Sequence, residues 1–191
     1  KGFAIRQGMA VSTGDVVAFM DADGATSPAE LGRLLAVMAE EASDIVIGSR
    51  RTPDARIGTP QSLPRRAAGK IFHLVVRLLF GLPFRDTQCG FKLFRGTVGR
   101  ELFSQCRENG FIIDVEMLAR ARQQGFSVVE TGVNWCDVAA SSIALRHDAW
   151  DMFTCALGLW LHGRRGRTAT AIGPGSPDFG GHFRAGPGGR G

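Results

Sequence analysis

The spacing of apolar residues changes several times along the first fifty positions, and each change marks an element. Phe3, Ile5, Met9 and Val11 give residues 1–12 a helical spacing, and Thr13-Gly14-Asp15 reads as the turn that follows. Residues 16–20, VVAFM, are wholly apolar, the pattern of a strand buried on both faces of a parallel sheet. Ser27, Pro28 and Glu30 then form a capping box with proline at the first helical position, which predicts a helix over 28–41 with Leu31, Leu34, Leu35 and Met38 on one face. Residues 44–48 read as a second buried strand whose exit carries Ser49-Arg50-Arg51. Strand, helix and strand in that order imply a right-handed parallel crossover.

Further on, residues 64–81 read as one long helix with two unlike sides. Arg66, Lys70, His73 and Arg77 fall on one stripe, while Ile71, Leu74, Val75, Leu78 and Leu79 fill the rest. That pattern suits a core helix with a solvated basic edge, and equally a helix lying at a membrane surface, its cations among phosphates and its apolar side in the acyl boundary. Residues 85–94, RDTQCGFKLF, read as a polar loop entering a strand. Residues 110–122 pass from apolar to helical and carry Asp114 and Glu116. Strand composition follows at 127–135 and an apolar, helical stretch at 149–162. From residue 163 the chain is Gly, Pro and Arg with few large apolar residues, the composition of a disordered tail. The expected organisation is a folded domain over 1–162 and this tail over 163–191.

Composition narrows the possibilities only in part. Hydrophobic residues are 44% and charged residues 21% of the 191, so a packed core is expected. A formal charge of +5 points to anionic partners. Nucleic acid is not expected among them, because the basic residues are not interleaved with aromatics and no binding motif appears. Cys89, Cys106, Cys136 and Cys155 form no CxxC pair, which speaks against zinc and against a disulfide framework. No apolar run approaches the roughly 20 residues that span a bilayer. The chain begins with Lys1 close to its first apolar element, which suggests further sequence upstream.

The chemistry concentrates at Asp21 and Asp23. Two carboxylates separated by one residue at a strand end, where the chain turns, can both reach one cation, and oxygen ligands of this kind suit Mg²⁺ or Mn²⁺, which also take phosphate oxygens. Strand carboxyl ends are where open α/β sheets bind ligands. A plainer reading is a polar turn capping the next helix. A third is the nucleophile motif of haloacid-dehalogenase-type phosphatases, with Asp21 phosphorylated and Asp23 as acid/base. That chemistry needs a later lysine in a fitting context, and Lys70 and Lys92 do not supply one.

Taken together, Lys1-Gly2, DADGAT at 21–26, GSR at 48–50, RDTQCGFKLF at 85–94, DVE at 114–116 and VNW at 133–135 resemble the dolichyl-phosphate β-glucosyltransferases, family 2 glycosyltransferases of GT-A fold. The resemblance implies a Rossmann-like α/β domain with a mostly parallel central sheet, incomplete at its N-terminus. It implies glucose transfer from UDP-glucose to dolichyl phosphate for protein N-glycosylation, at the cytosolic face of the endoplasmic reticulum membrane, with the anchor in the part upstream. By the same resemblance Asp21 and Asp23 hold Mg²⁺ or Mn²⁺ and, through it, the diphosphate. Arg50 faces the acceptor phosphate, and Arg66 is a second clamp. Asp86 lines the site as a base, as an orienter of the acceptor phosphate, or as a partner of Arg85. Lys92 contributes phosphate charge balance or is simply an exposed strand lysine. Asp114, paired with Glu116, serves positioning or hydrogen bonding. Gln88 belongs to the same block as a substrate contact or a turn residue. Transfer of mannose from GDP-mannose and a non-catalytic membrane-surface fragment are the remaining alternatives.

Overall fold

The structure, a computed structural model, describes residues 1–59, 62–137 and 152–161. The chain opens with α1 (Gly2–Val11), passes through β1 (Val16–Met20), makes a 3-10 turn at Pro28–Glu30, and enters α2 (Leu31–Glu40) and β2 (Ile45–Ser49). A short β3 (Arg56–Ile57) precedes α3 (Leu63–Phe80), β4 (Phe91–Arg95), α4 (Gly96–Gln105), α5 (Ile113–Gln123), β5 (Val128–Gly132) and β6 (Asn134–Trp135). Residues 152–161 are helical. The expected final helix is therefore seen in that part, and the tail from 163 lies outside the described residues.

The main sheet has the order β1-β4-β2-β5. Strand β4 runs antiparallel to both neighbours, and β2 and β5 are parallel, so the sheet is mixed rather than mostly parallel in its pairings. The cause is the path of the chain. It leaves β2 at Ser49 and re-enters the sheet at Phe91, which stands opposite Met20 at the end of β1. Entering from the end that β1 and β2 exit, β4 has to run the other way. The β1 and β2 strands keep the common direction expected of a crossover, but β4 lies between them.

Alternation along the strands sorts the core into two layers. Ile45 and Ile47 of β2 and Phe94 of β4 join Leu102, Phe103, Ile113, Met117 and Leu118 on the side of α4 and α5. Val46, Phe91 and Leu93 join Leu34, Met38 and Trp135 on the side of α2. All five residues of β2 are buried, as its apolar run predicts. Strand β1 differs from expectation. Among the described residues it is the edge of the sheet, Val17 and Phe19 pack against the core, and Val16 and Met20 are each 39% exposed.

At the start of α2 the capping box is half made. Ser27 Oγ accepts from the Ala29 N–H at 3.2 Å, but the Glu30 carboxylate accepts from Asn134 Nδ2 at 2.5 Å instead of returning to the cap. That bond ties α2 to β6. Helix α3 ends at Gly81, whose φ of 63° supplies the left-handed cap and sends its N–H to the Arg77 carbonyl. Val76 is buried, and Phe72 and Phe80 pack against the core. The opposite row is solvent-facing, from 55% exposed at Leu74 to 76% at Leu63, with Ile71 and Leu78 between these values.

Phe94 is fully buried, with ring centroids 5.9 Å from Phe19 and 5.4 Å from Phe103. Phe94→Ala is expected to lower unfolding free energy by about 3–5 kcal/mol, whereas Leu74→Gln on the exposed row should change it by less than about 0.5 kcal/mol. Equilibrium denaturation of both variants checks the contrast.

Candidate active site

Because β4 enters where β1 and β2 exit, three polar segments meet at one end of the sheet. They are the Asp21–Asp23 turn, the Arg50-Arg51 exit of β2, and the loop that carries Asp86 and Gln88. A cleft of about 1070 Å³ opens there, and α3 forms a wall of it.

The Asp21 N–H donates to the Gly90 carbonyl at 2.8 Å, which fixes the turn against the loop. A β-carbon at position 90 would fall inside the Asp21 carboxylate, so glycine there lets that side chain keep this position. Asp23 Oδ1 accepts from the Ala25 N–H at 3.0 Å, the bond expected of a polar turn. Both carboxylates line the cleft. No group of three or more His, Cys, Asp or Glu among the described residues is arranged to hold a metal. A cation here would rely on this pair and take its other ligands from phosphate and water, which is how Mg²⁺ is commonly held. The donor set fits such an ion.

Across the cleft, Arg50 and Asp86 form a two-pronged pair. Nε donates to Oδ2 at 2.7 Å and Nη2 to Oδ1 at 2.9 Å, while the Arg50 N–H adds a third bond to Oδ2 at 3.0 Å. Gln88 N–H donates to Oδ1 at 3.2 Å. Asp86 is therefore paired with Arg50 and not with Arg85. Burial alone would raise the Asp86 pKa, but the adjacent guanidinium and its hydrogen bonds hold it well below the usual carboxylate range. A carboxylate that acidic, with both oxygens engaged, is a weak base and a firm anchor. Burial likewise disfavours the Arg50 cation, and Asp86 outweighs it, so the guanidinium pKa is raised. Trp135 lies under the guanidinium, 5.6 Å from ring centroid to Cζ.

The loop itself hangs on Glu130 of β5, which accepts from the Arg85 N–H at 2.9 Å and the Asp86 N–H at 2.7 Å. Arg51 straps α3 to this loop, donating to the carbonyls of Gly69 at 3.1 Å and Arg85 at 3.3 Å. Burial lowers its pKa, and the neighbouring Arg50 adds to the effect. Held in this way, α3 turns Arg66, Lys70, His73 and Arg77 into the cleft. Burial, with Arg51 near, lowers the His73 pKa. His73 Nδ1 and Gln88 Nε2 are buried without a hydrogen-bond partner among the described residues, and both residues line the cleft.

Two expected site residues are placed elsewhere. Lys92 is fully buried rather than exposed, and its ammonium donates to the Cys89 carbonyl and to Asp114 Oδ1, each at 2.6 Å. Asp114 is buried with it, and neither lines the cleft. Asp114 and Glu116 also part company, because residues two apart on α5 point in different directions. Glu116 accepts from the Arg107 and Glu108 N–H groups and from Arg120. Sequence reasoning missed Glu130 and Arg51 as organisers. A lone glutamate inside the strand run VVETG was the available signal for the first; for the second, only its adjacency to Arg50.

Comparisons with known proteins bear on the family of the chain. Residues 1–103 match the family described as Glycosyl transferase family 2. A dolichyl-phosphate beta-glucosyltransferase from Dictyostelium discoideum is 33% identical over 172 residues, covering 84% of this chain and 53% of that protein. Another from Drosophila melanogaster is 36% identical over 148 residues, covering 75% and 45%. Among solved structures, mannosyl-3-phosphoglycerate synthase from Rubrobacter xylanophilus is similar with a TM-score of 0.47 at 18% identity, over 93% of this chain and 55% of that one. The chain spans about half the length of the curated relatives it matches. With a mixed α/β sheet, a strand-end carboxylate pair and a family match over more than half of its residues, the chain belongs to glycosyl transferase family 2.

Proposed function

We propose that this chain carries catalytic machinery for moving glucose from UDP-glucose to dolichyl phosphate. A phosphate oxygen of the acceptor attacks the anomeric carbon, the bond to UDP breaks on the opposite side, and dolichyl β-D-glucosyl phosphate forms with inversion. The observation that carries the reading is that Asp21 and Asp23 open on the same cleft as Arg50. One side of that cleft suits a cation-bound diphosphate and the other a second phosphate. Relatives named dolichyl-phosphate beta-glucosyltransferase favour a glucosyl group and a dolichyl phosphate acceptor. Membership of family 2 leaves no place for the phosphatase reading of Asp21.

Asp21 and Asp23 would hold Mg²⁺ or Mn²⁺, which when bound would neutralise charge on the leaving diphosphate. The rest falls to the protein. Asp86 uses the Nε and one Nη2 donor of Arg50, which leaves the other guanidinium N–H groups for an acceptor phosphate in a fixed plane. Arg66, Lys70 and Arg77 add positive charge along the same wall. The unpartnered Gln88 Nε2 is a donor for a sugar hydroxyl or phosphate oxygen. The second pKa of a phosphate monoester is about 6, so at neutral pH the acceptor is largely dianionic and needs no strong protein base. Catalysis is then positioning and charge stabilisation.

The exposed row Leu63, Ile71, Leu74 and Leu78 borders the basic stripe, an arrangement suited to a membrane surface that holds the lipid acceptor. No helix among the described residues is long and apolar enough to cross a membrane. On the resemblance we propose a site at the cytosolic face of the endoplasmic reticulum membrane, and this row supports contact with a membrane surface.

Incubated with dolichyl phosphate, Mg²⁺ or Mn²⁺ and UDP-glucose, the full-length protein should form a glucosyl lipid, and Asp23→Asn should lower turnover by about 100-fold or more. Product from GDP-mannose alone would overturn the glucose assignment, and no lipid product from either donor would overturn the transferase reading. Leu74→Gln with Leu78→Gln should weaken sedimentation with anionic liposomes by about tenfold. Equal sedimentation would remove α3 from the membrane contact.

A further inference from the structure

The buried Lys92–Asp114 pair does not end in the core. Asp114 Oδ2 faces the Lys1 ammonium at 3.1 Å, and the same ammonium stands 2.9 Å from Asp21 Oδ1. A line of alternating charge therefore runs from Cys89 through Lys92, Asp114 and Lys1 to Asp21. The Phe19 ring sits beside both ammoniums, 5.4 Å from Lys92 Nζ and 6.0 Å from Lys1 Nζ. Lys1 is the member of this line that reaches the cleft besides Asp21. Its side chain is 14% exposed.

The backbone around Lys1 is held as firmly as its side chain. Gly2 and Phe3 N–H groups donate to the carbonyls of Gly110 and Asn109, both at 3.2 Å. A β-carbon at Gly2 would stand 2.6 Å from the Glu108 carbonyl oxygen and 2.9 Å from that of Gly110, so the chain after Lys1 can approach this loop only as glycine. The Lys1-Gly2 pair thus has a physical reason. The glycine allows the contact that aims the lysine.

We propose that Lys1 is a resident counter-ion of Asp21, aimed by Asp114, and that it becomes a ligand for a phosphate oxygen of a nucleoside diphosphate once Asp21 is engaged by a divalent cation. The proposal rests on the nucleotide reading of the cleft. Charge balance favours it. Asp21, Asp23 and Asp114 against Lys1 and Lys92 leave one negative charge in excess, and a divalent cation turns this into one positive charge facing the phosphates. Lys1 stands between the two carboxylates, 3.1 Å from Asp114 and 2.9 Å from Asp21, and pairs with both. Held by Asp114, it has no need to leave the site when Asp21 changes partner. Asp114 is then a positioning residue that acts through Lys1.

The test compares full-length wild type, Lys1→Met and Lys1→Arg by Mn²⁺ titration with electron paramagnetic resonance and by UDP binding at saturating Mn²⁺. In Lys1→Met, Mn²⁺ alone should bind about threefold or more tighter, because a competing cation is gone, and UDP about tenfold weaker. Lys1→Arg should keep UDP affinity within about threefold of wild type. Unchanged Mn²⁺ and UDP binding in Lys1→Met would overturn the role of Lys1 while leaving the nucleotide site intact. Equal losses in Lys1→Arg and Lys1→Met would overturn it too, as loss of packing and not of charge. Wild type that binds neither Mn²⁺ nor UDP would overturn the nucleotide reading, and this inference with it.

Discussion

The pair between Arg50 and Asp86 organises the cleft. Removing a carboxylate and a guanidinium from water is costly, and the cost is offset only when geometry is good and the remaining donors and acceptors are satisfied. Asp86 meets both conditions, with two prongs from Arg50, two backbone N–H bonds, and a loop that is itself hung on Glu130. Its depressed pKa follows from that enclosure. A carboxylate so placed does not move protons at neutral pH. It fixes the plane of an arginine fork at the cleft wall, where a phosphate is complementary to it.

The rest of the site depends on the direction of β4. Had β4 run parallel to its neighbours, residues 85–90 would lie at the far end of the sheet from Asp21. Reversed, they come within one hydrogen bond of it, through Asp21 N–H and the Gly90 carbonyl. One loop therefore touches both halves of the cleft, anchoring the arginine fork at Asp86 and making room for the carboxylate at Gly90. Arg51 then fixes α3 to that loop, which sets the basic stripe inside the cleft and leaves the leucine row outside.

Much of this was legible in the residues. The buried β2 run, the helical stripe of α3, the strand-end position of Asp21 and the specificity of RDTQCGFKLF all carry local signals. What was not legible depended on neighbours distant in sequence. A run such as VVAFM reads the same in a central strand and at an edge, so the exposure of Val16 and Met20 could not be seen. Lys92 read as a phosphate contact or an exposed strand lysine because its partner, Asp114, lies 22 residues away on a helix. The direction of β4 depends on the path of α3, which no periodicity encodes. Asp114 and Glu116 invited a joint reading because they are close in sequence, and helical geometry separates them.

The central claim is that Asp86 serves the reaction through Arg50, by holding its guanidinium toward the acceptor phosphate. A double-mutant cycle on the KM for dolichyl phosphate, at saturating UDP-glucose, addresses it directly. Arg50→Ala should raise that KM, Asp86→Asn should raise it in the same direction, and the double variant should be no worse than Arg50→Ala alone. Losses that multiply, or a further fall in kcat when Asp86→Asn is added to Arg50→Ala, would mean that Asp86 acts on the acceptor by itself and would contradict the account.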